Sequence, residues 1–265
     1  MFKKMTVLCL MVVMCFNFAS FADTSTPNYG GFATEKELVS YLSDNNVPKN
    51  KIKSLVEKSL NDIQWDCYKE EKLALLPADF YEFDLASNIG EKYFRFEDGS
   101  FTKVYVGGGE VIKNYREVSQ FDKSNLLSGL NRAAVSDSFG TLYKNHRIER
   151  IVGTTRAYFI ANFYVPRPGY GSSIIYTTDN SNNMYNSPYG EGISGFGVTG
   201  HPEKEMIRDV EYNGQAALFR LYWFNQIEVS GGWDGFGASA AIGSTCNLYL
   251  ALVNNKVYIA SSLPF

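Results

Sequence analysis

Residues able to do chemistry are scarce in this chain, and their spacing excludes several reaction classes. Only two histidines, His146 and His201, occur in 265 residues. Neither stands at helical spacing from a second ligand, whereas zinc usually needs three or four ordered ligands. His201-Pro202-Glu203 reads as a turn. No Gly-x-Ser-x-Gly elbow is present to present a serine nucleophile; Gly192-Ile193-Ser194-Gly195 has the wrong spacing and reads as a freely turning loop. Gly107-Gly108-Gly109 lacks the Lys-Ser/Thr that makes a phosphate loop. Cys67 paired with a histidine would give a thiol nucleophile, but a structural use fits an oxidising compartment better. Glu191, Asp209, Glu228 and Asp234 are available as paired carboxylates for glycoside hydrolysis, though such residues usually stand solvated in strands or turns. Asp179-Asn180-Ser181-Asn182-Asn183 clusters oxygen ligands without the glycine and terminal glutamate of a helix-loop-helix calcium site, so it reads as a polar loop. We therefore expect no catalytic residue, no metal and no cofactor, and lean toward binding rather than catalysis.

The surplus lies instead in rings, with 18 Tyr, 19 Phe and 3 Trp making 15% of the chain. The segment from Gly231 to Ser244 is rich in small residues and carries Trp233 and Phe236. Such a loop can lay amphipathic aromatics in a bilayer interface. Trp233 can equally join Tyr222 or Tyr249 in a stacking platform for a sugar ring. The plainer reading is a glycine-relieved crossover with its rings tucked into the core. Trp233, Phe236, Tyr222 and Tyr249 are the candidate contact residues.

The N-terminus is built for export. Lys3 and Lys4 precede an apolar run from Val7 to Phe16, and Ser20-Phe21-Ala22 places small residues at a peptidase site. The run falls short of the roughly 20 residues that cross a bilayer. No later segment is apolar enough to cross as a helix, so the mature protein is expected to be secreted and extracellular. The whole chain carries 25 basic and 28 acidic residues, and losing Lys3 and Lys4 makes it more acidic. With no basic run, nucleic acid is not an expected partner. Cys67 and Cys246 survive processing, and an even pair outside the cell can form a disulfide. Cys246 also shares a strand face with Leu248, Leu250 and Leu252, where it would serve as a small core residue.

Residues 23–33 read as a flexible lead-in. Thr34 with Glu37 forms a capping box ahead of Leu38, Tyr41 and Leu42. Asp44-Asn45-Asn46 ends that helix, and Pro48 opens a second with Ile52, Leu55, Val56 and Leu60 at helical spacing. The resulting helical hairpin is too small to stand alone. From Asp79 the period shortens to two, and Glu97-Asp98-Gly99-Ser100 signals a hairpin turn with the positive φ that Asp-Gly supplies. Residues 34–110 are thus a helical hairpin plus a β hairpin, and 111–150 a connector with a strand near Val111 to Val118. Residues 151–265 gain aromatics and glycines and lose charge. Strands are expected at 157–164, 173–178, 215–230, 245–253 and 257–261, with Phe219, Leu221, Trp223, Ile227 and Val229 on one face and Arg220, Gln226 and Glu228 on the other. Asn254-Asn255 suits a two-residue hairpin. The fold class is α+β, mostly β: helical hairpin and small β hairpin, then an antiparallel β sandwich over 151–265.

Val47-Pro48, Lys51, Leu55, Lys58, Trp65-Asp66, Pro77 and Tyr93-Phe94-Arg95-Phe96-Glu97-Asp98-Gly99-Ser100 together resemble a group of secreted proteins of Gram-positive bacteria, in which a short helical leader precedes an Asp-Gly-Ser hairpin and an aromatic, glycine-rich β half. That group is similar to geobacillin-type large bacteriocins. The match spans about residues 47–106 and implies an antimicrobial effector, without defining any site residue. Cys67 stands where the pattern more often has a small polar residue, against a family-wide disulfide. The leading expectation is a secreted, non-enzymatic effector that contacts a bacterial membrane or cell-wall surface. The alternatives are an extracellular carbohydrate or cell-wall binding module and a secreted hydrolase with paired carboxylates.

Overall fold

The computed structural model describes residues 34–61, 63–85, 90–116, 139–166, 171–175, 188–195, 198–225 and 244–260. These are mostly β, with short helices confined to the N-terminal part. Helix α1 spans Glu35–Asp44 and α2 spans Lys49–Leu60. The Thr34 hydroxyl accepts from Glu37 N at 3.3 Å, so the expected cap is in place. Leu38, Leu42, Ile52, Leu55 and Val56 are buried, but Leu60, expected on the same stripe, is exposed at the helix end. A 3-10 turn (Asp66–Tyr68) and a single helical turn, α3 (Glu70–Leu73), follow.

Among the described residues, twelve strands form two antiparallel sheets. The first sheet runs β1 (Glu82–Asp84), β12 (Lys256–Ala260), β11 (Ser244–Val253), β10 (Ala217–Asn225) and β9 (Val198–Arg208) in spatial order. The second runs β2 (Gly90–Arg95), β3 (Phe101–Gly107), β5 (Phe139–Val152), β6 (Thr155–Pro166) and β7 (Ser173–Ile174). Strand β4 (Glu110–Arg116) pairs with the first half of β5, and β8 (Tyr189–Ser194) pairs with β6. The stretch expected as a connector therefore holds a strand at each of its described ends. Strand β5 escapes the sequence because its buried positions include His146 and Arg150, each 1% exposed. A polar residue at a buried position breaks the alternation that marks a strand.

One buried cluster draws on both sheets. Phe83, Phe219, Leu221, Trp223, Cys246, Leu248, Leu250, Val257 and Ile259 come from the first, and Val104, Val106, Ile148, Phe159 and Phe163 from the second. Of the period-two faces read for β10 and β11, Phe219, Leu221, Trp223, Cys246, Leu248, Leu250 and Leu252 are buried, while Gln226, Ile227 and Val229 lie outside the described residues. A second cluster joins α1 and α2 to Trp65, Cys67, Tyr68, Phe96, Phe101, Ile151 and Val152. Cys67 and Cys246 are each buried, one in each cluster, and are not joined, so of the two readings of this pair the possible disulfide is not formed and Cys246 is a small core residue. Burial pushes the Cys67 thiol well above its usual range, leaving it protonated and a poor nucleophile.

The Asp-Gly-Ser hairpin is the clasp that seats the helices. Asp98 Oδ2 accepts from Lys58 Nζ at 2.7 Å and Asp66 N at 2.9 Å, while Oδ1 accepts from Ser100 N at 2.9 Å and Ser100 Oγ. Ser100 Oγ in turn accepts from Cys67 N at 3.0 Å. Of the turn residues only Gly99 has a positive φ, +96°, rather than the consecutive pair of a two-residue turn. A Cβ there would lie 2.5 Å from Lys51 Cβ, so the glycine also lets α2 approach. Asn254 and Asn255 do take two consecutive positive φ values, 52° and 62°, as expected of their hairpin.

His201-Pro202-Glu203 lies within β9, not in a turn. Proline is tolerated there because, among the described residues, β9 ends its sheet and pairs with β10 alone, across a register shift at Tyr222/Phe224.

Candidate functional site

Side chains on β10 that do not enter the core must point to the outward face of the first sheet. Arg220 and Tyr222 do so, and the register sets Arg220 opposite Tyr249 on β11 and Glu205 on β9. Tyr222 faces Glu203 on one side and Asn247 on the other. One strand further, Ala251 stands opposite Tyr258, which stands opposite Glu82. Tyr222, Arg220, Tyr249 and Tyr258 thereby share one face across three neighbouring strands.

Acidic partners fix these groups. Tyr222 donates to Glu203 Oε2 at 2.6 Å, a bond that raises the phenol's pKa. Tyr258 donates to Glu82 Oε2 at 3.0 Å; burial first, and this bond second, raise its pKa. Glu82 also pairs with Lys256 Nζ at 2.5 Å. Arg220 pairs with Glu205 and lies over the Tyr222 ring at 4.6 Å from its centroid. Burial works against the Arg220 charge, but a hydrogen bond with Tyr249 and the field of Glu205 outweigh it and raise its pKa. Beneath the rings, Ala216, Leu218, Ala251 and Val253 form a small buried cluster against which Tyr249 and Tyr258 pack. All three tyrosines are half-buried, and Tyr249 and Tyr258 rest in part on those apolar side chains.

Of the four candidate contact residues, the structure brings Tyr222 and Tyr249 to one face. Trp233 and Phe236 lie outside the described residues, as do Glu228, Asp234 and the 179–183 loop. Arg220, Tyr258, Glu203, Glu205 and Glu82 were not singled out from the sequence. Arg220 and Tyr222 stand two apart in a strand-like run, but their partners come from β9, β11, β12 and β1, and only pairing reveals them. Among the candidate carboxylates, Glu191 is held by Lys204 at 3.0 Å, while the Asp209 carbonyl accepts from Ile174 N at 2.8 Å. His146 is buried beside Tyr143 and Phe163, with Nε2 at 3.1 Å from the Glu110 carbonyl. Burial lowers its pKa, and the ring is neutral at pH 7.

Such a face can stack flat apolar surfaces on its rings and exchange hydrogen bonds through its carboxylates, guanidinium and amide. No nucleophile and base converge on it among the described residues. No helix of the described residues is long and apolar enough to cross a membrane. Comparison with family models, with curated proteins and with solved structures gave no match to this chain.

Proposed function

We propose that this is a secreted carbohydrate or cell-wall binding protein that uses the outward tyrosine face of a two-sheet β sandwich. The observation that carries the reading is the joining of Tyr222, Tyr249 and Tyr258 with Arg220, Glu203 and Glu205 on that face. Pyranose rings offer one apolar face and a rim of hydroxyls, and the site offers rings for the first and charged acceptors and donors for the second. Carboxylates that hydrogen-bond phenols are well placed to accept from sugar hydroxyls as well, since each oxygen has more than one lone pair. An anionic lipid surface fits less well. It would meet the carboxylates of Glu203 and Glu205, which it repels and which are costly to take out of water. The export signal supports an extracellular site of action. The likeness to killing proteins of the bacteriocin type supports wall attachment as a step preceding any effect on a target cell.

Co-sedimentation with purified peptidoglycan and with insoluble glycans, alongside anionic liposomes, tests the reading. Pelleting with a glycan and not with liposomes is expected, and Tyr249→Ala is expected to weaken it about tenfold, the effect of losing about 1.4 kcal/mol of stacking and hydrogen bonding. Pelleting with liposomes alone would overturn it in favour of membrane contact.

A further inference from the structure

Where β3 turns into β4, Gly107-Gly108-Gly109 seats the chain directly on the backbone of β5. A Cβ at Gly109 would lie 2.1 Å from the Lys144 carbonyl oxygen and 2.7 Å from the Asn145 carbonyl carbon. Gly108 turns with φ 78°, a value that side chains disfavour. The pairing of β5 with β6 slips at the same place, between Tyr143 and His146. Beside the turn lies His146, 1% exposed, its ring centroid 5.5 Å from that of Tyr143 and 5.7 Å from that of Phe163.

The surroundings of this ring fix its tautomer. A carbonyl can only accept, so Nε2, at 3.1 Å from the Glu110 oxygen, carries the proton. Nδ1 is then a bare lone pair, buried and without a hydrogen-bond partner. A second proton, on Nδ1, would bury both a charge and a donor with nothing to accept it, which the closed fold resists. Burial accordingly lowers the ring's pKa, opposed by the bond to the Glu110 carbonyl.

Other ionisable groups stand around the ring on each neighbouring element. On β4 the Glu110 carboxylate lies 4.0 Å from Lys144 Nζ, and on β5 Arg147 pairs with Glu149. Tyr143 is the titratable neighbour in ring contact, and the charge of Asp84 on β1 acts on it. Tyr189 of β8 donates to Asn145 Oδ1 at 2.8 Å, while β6 sets Ala161 opposite His146. Carboxylates ordinarily titrate near about 4 and phenols near about 10, so histidine is the side chain whose charge changes between pH 7 and 5. We propose that His146 is an acid-sensitive latch on the start of β4: once protonated, the ring leaves the Glu110 carbonyl for water, and the 107–109 turn and the first residues of β4 lift from β5. The glycines that let the turn sit so close also let it swing. For an exported chain, the latch would convert acid surroundings into a change of shape.

A buried ring that resists protonation binds fewer protons closed than open. The closed state is therefore fully favoured above the exposed histidine value of about 6.5 and loses ground as pH falls below it. Hydrogen exchange of the β4 amides from pH 7 to pH 5, corrected for the intrinsic pH dependence of exchange, reads that opening. Protection of β4 is expected to fall by up to about tenfold per pH unit below about 6.5, while β10 keeps its protection. His146→Gln keeps a donor for the Glu110 carbonyl but does not titrate, and should make β4 protection independent of pH. Should that variant not fold, NMR of the His146 ring in the parent chain decides, with titration expected below about 6.5. Protection of β4 indifferent to pH, a loss shared equally by β10, a pH response that persists in His146→Gln, or a ring titrating at or above the exposed value would overturn the proposal. Tyr249→Ala should leave the pH response intact, so the latch and the tyrosine face succeed or fail separately.

Discussion

The outward faces of the two sheets use the same three residue types and treat them differently. On the first sheet, Glu203 and Glu205 stand exposed beside Tyr222 and Arg220. On the second, Glu149 sits on β5 between Tyr105 and Tyr158, yet is only 5% exposed. It pairs with Arg147 and, at 3.0 Å, with Arg156. The Arg147 guanidinium lies 3.6 Å from the Tyr158 ring centroid, and a Cβ at Gly192 would collide with that ring at 2.5 Å. Rings and cations thus close over the carboxylate and spend their contacts on one another. Next to this face α1 docks, with the Tyr41 hydroxyl donating to the Gly153 carbonyl at 2.7 Å. The lesson is that aromatic and charged content does not make a binding face; what matters is whether neighbouring elements leave its hydrogen-bonding capacity for a ligand.

The largest expected effect tests the enclosed side. Glu149→Leu leaves two arginines without their shared partner and should cost about 2–3 kcal/mol in urea denaturation. That is below the value for a fully enclosed pair because both arginines reach water. A loss under about 0.5 kcal/mol would show that the two faces are energetically alike.

Next comes the clasp beneath the helices. Burial raises the Asp98 pKa, but Lys58, Ser100 and two backbone amides outweigh it and hold the carboxyl below its usual value. A carboxylate with a depressed folded pKa contributes stability above its unfolded value near 4, and that contribution is lost as pH falls through the folded value. Urea midpoints measured from pH 6 to pH 3 should therefore fall less steeply for Asp98→Asn than for the parent chain. At pH 6 the variant should be less stable by about 1–2 kcal/mol. Parallel pH curves for the two proteins would remove Asp98 from the account of how the helices are held.

The smallest stability effect is expected on the open face. Glu205→Gln should change stability by no more than about 0.5 kcal/mol, since its pair with Arg220 lies at the surface. The same variant should still weaken glycan pelleting, whereas Tyr158→Ala on the enclosed face should leave pelleting unchanged. Reversal of that pattern would move the binding site from the first sheet to the second.

Local signals carried far in this chain. The capping box at Thr34, the left-handed Asn254-Asn255 turn, the two short helices and the inward faces of β10 and β11 were all legible, because each depends on residues within a few positions of one another. Strand β5 was not, since His146 and Arg150 are buried by partners that sequence alone does not reveal. Strand β9 was obscured by a proline that only an edge position permits.

By itself the sequence determined the elements with clean periodicity and the turns that close them. Tertiary structure alone decided that the two buried cysteines lie in separate clusters, which tyrosines share a face and which carboxylates stay in water. Periodicity assigns a side chain to one side of its own strand, but its cross-strand neighbours follow from register, and registers are chosen by the core as a whole.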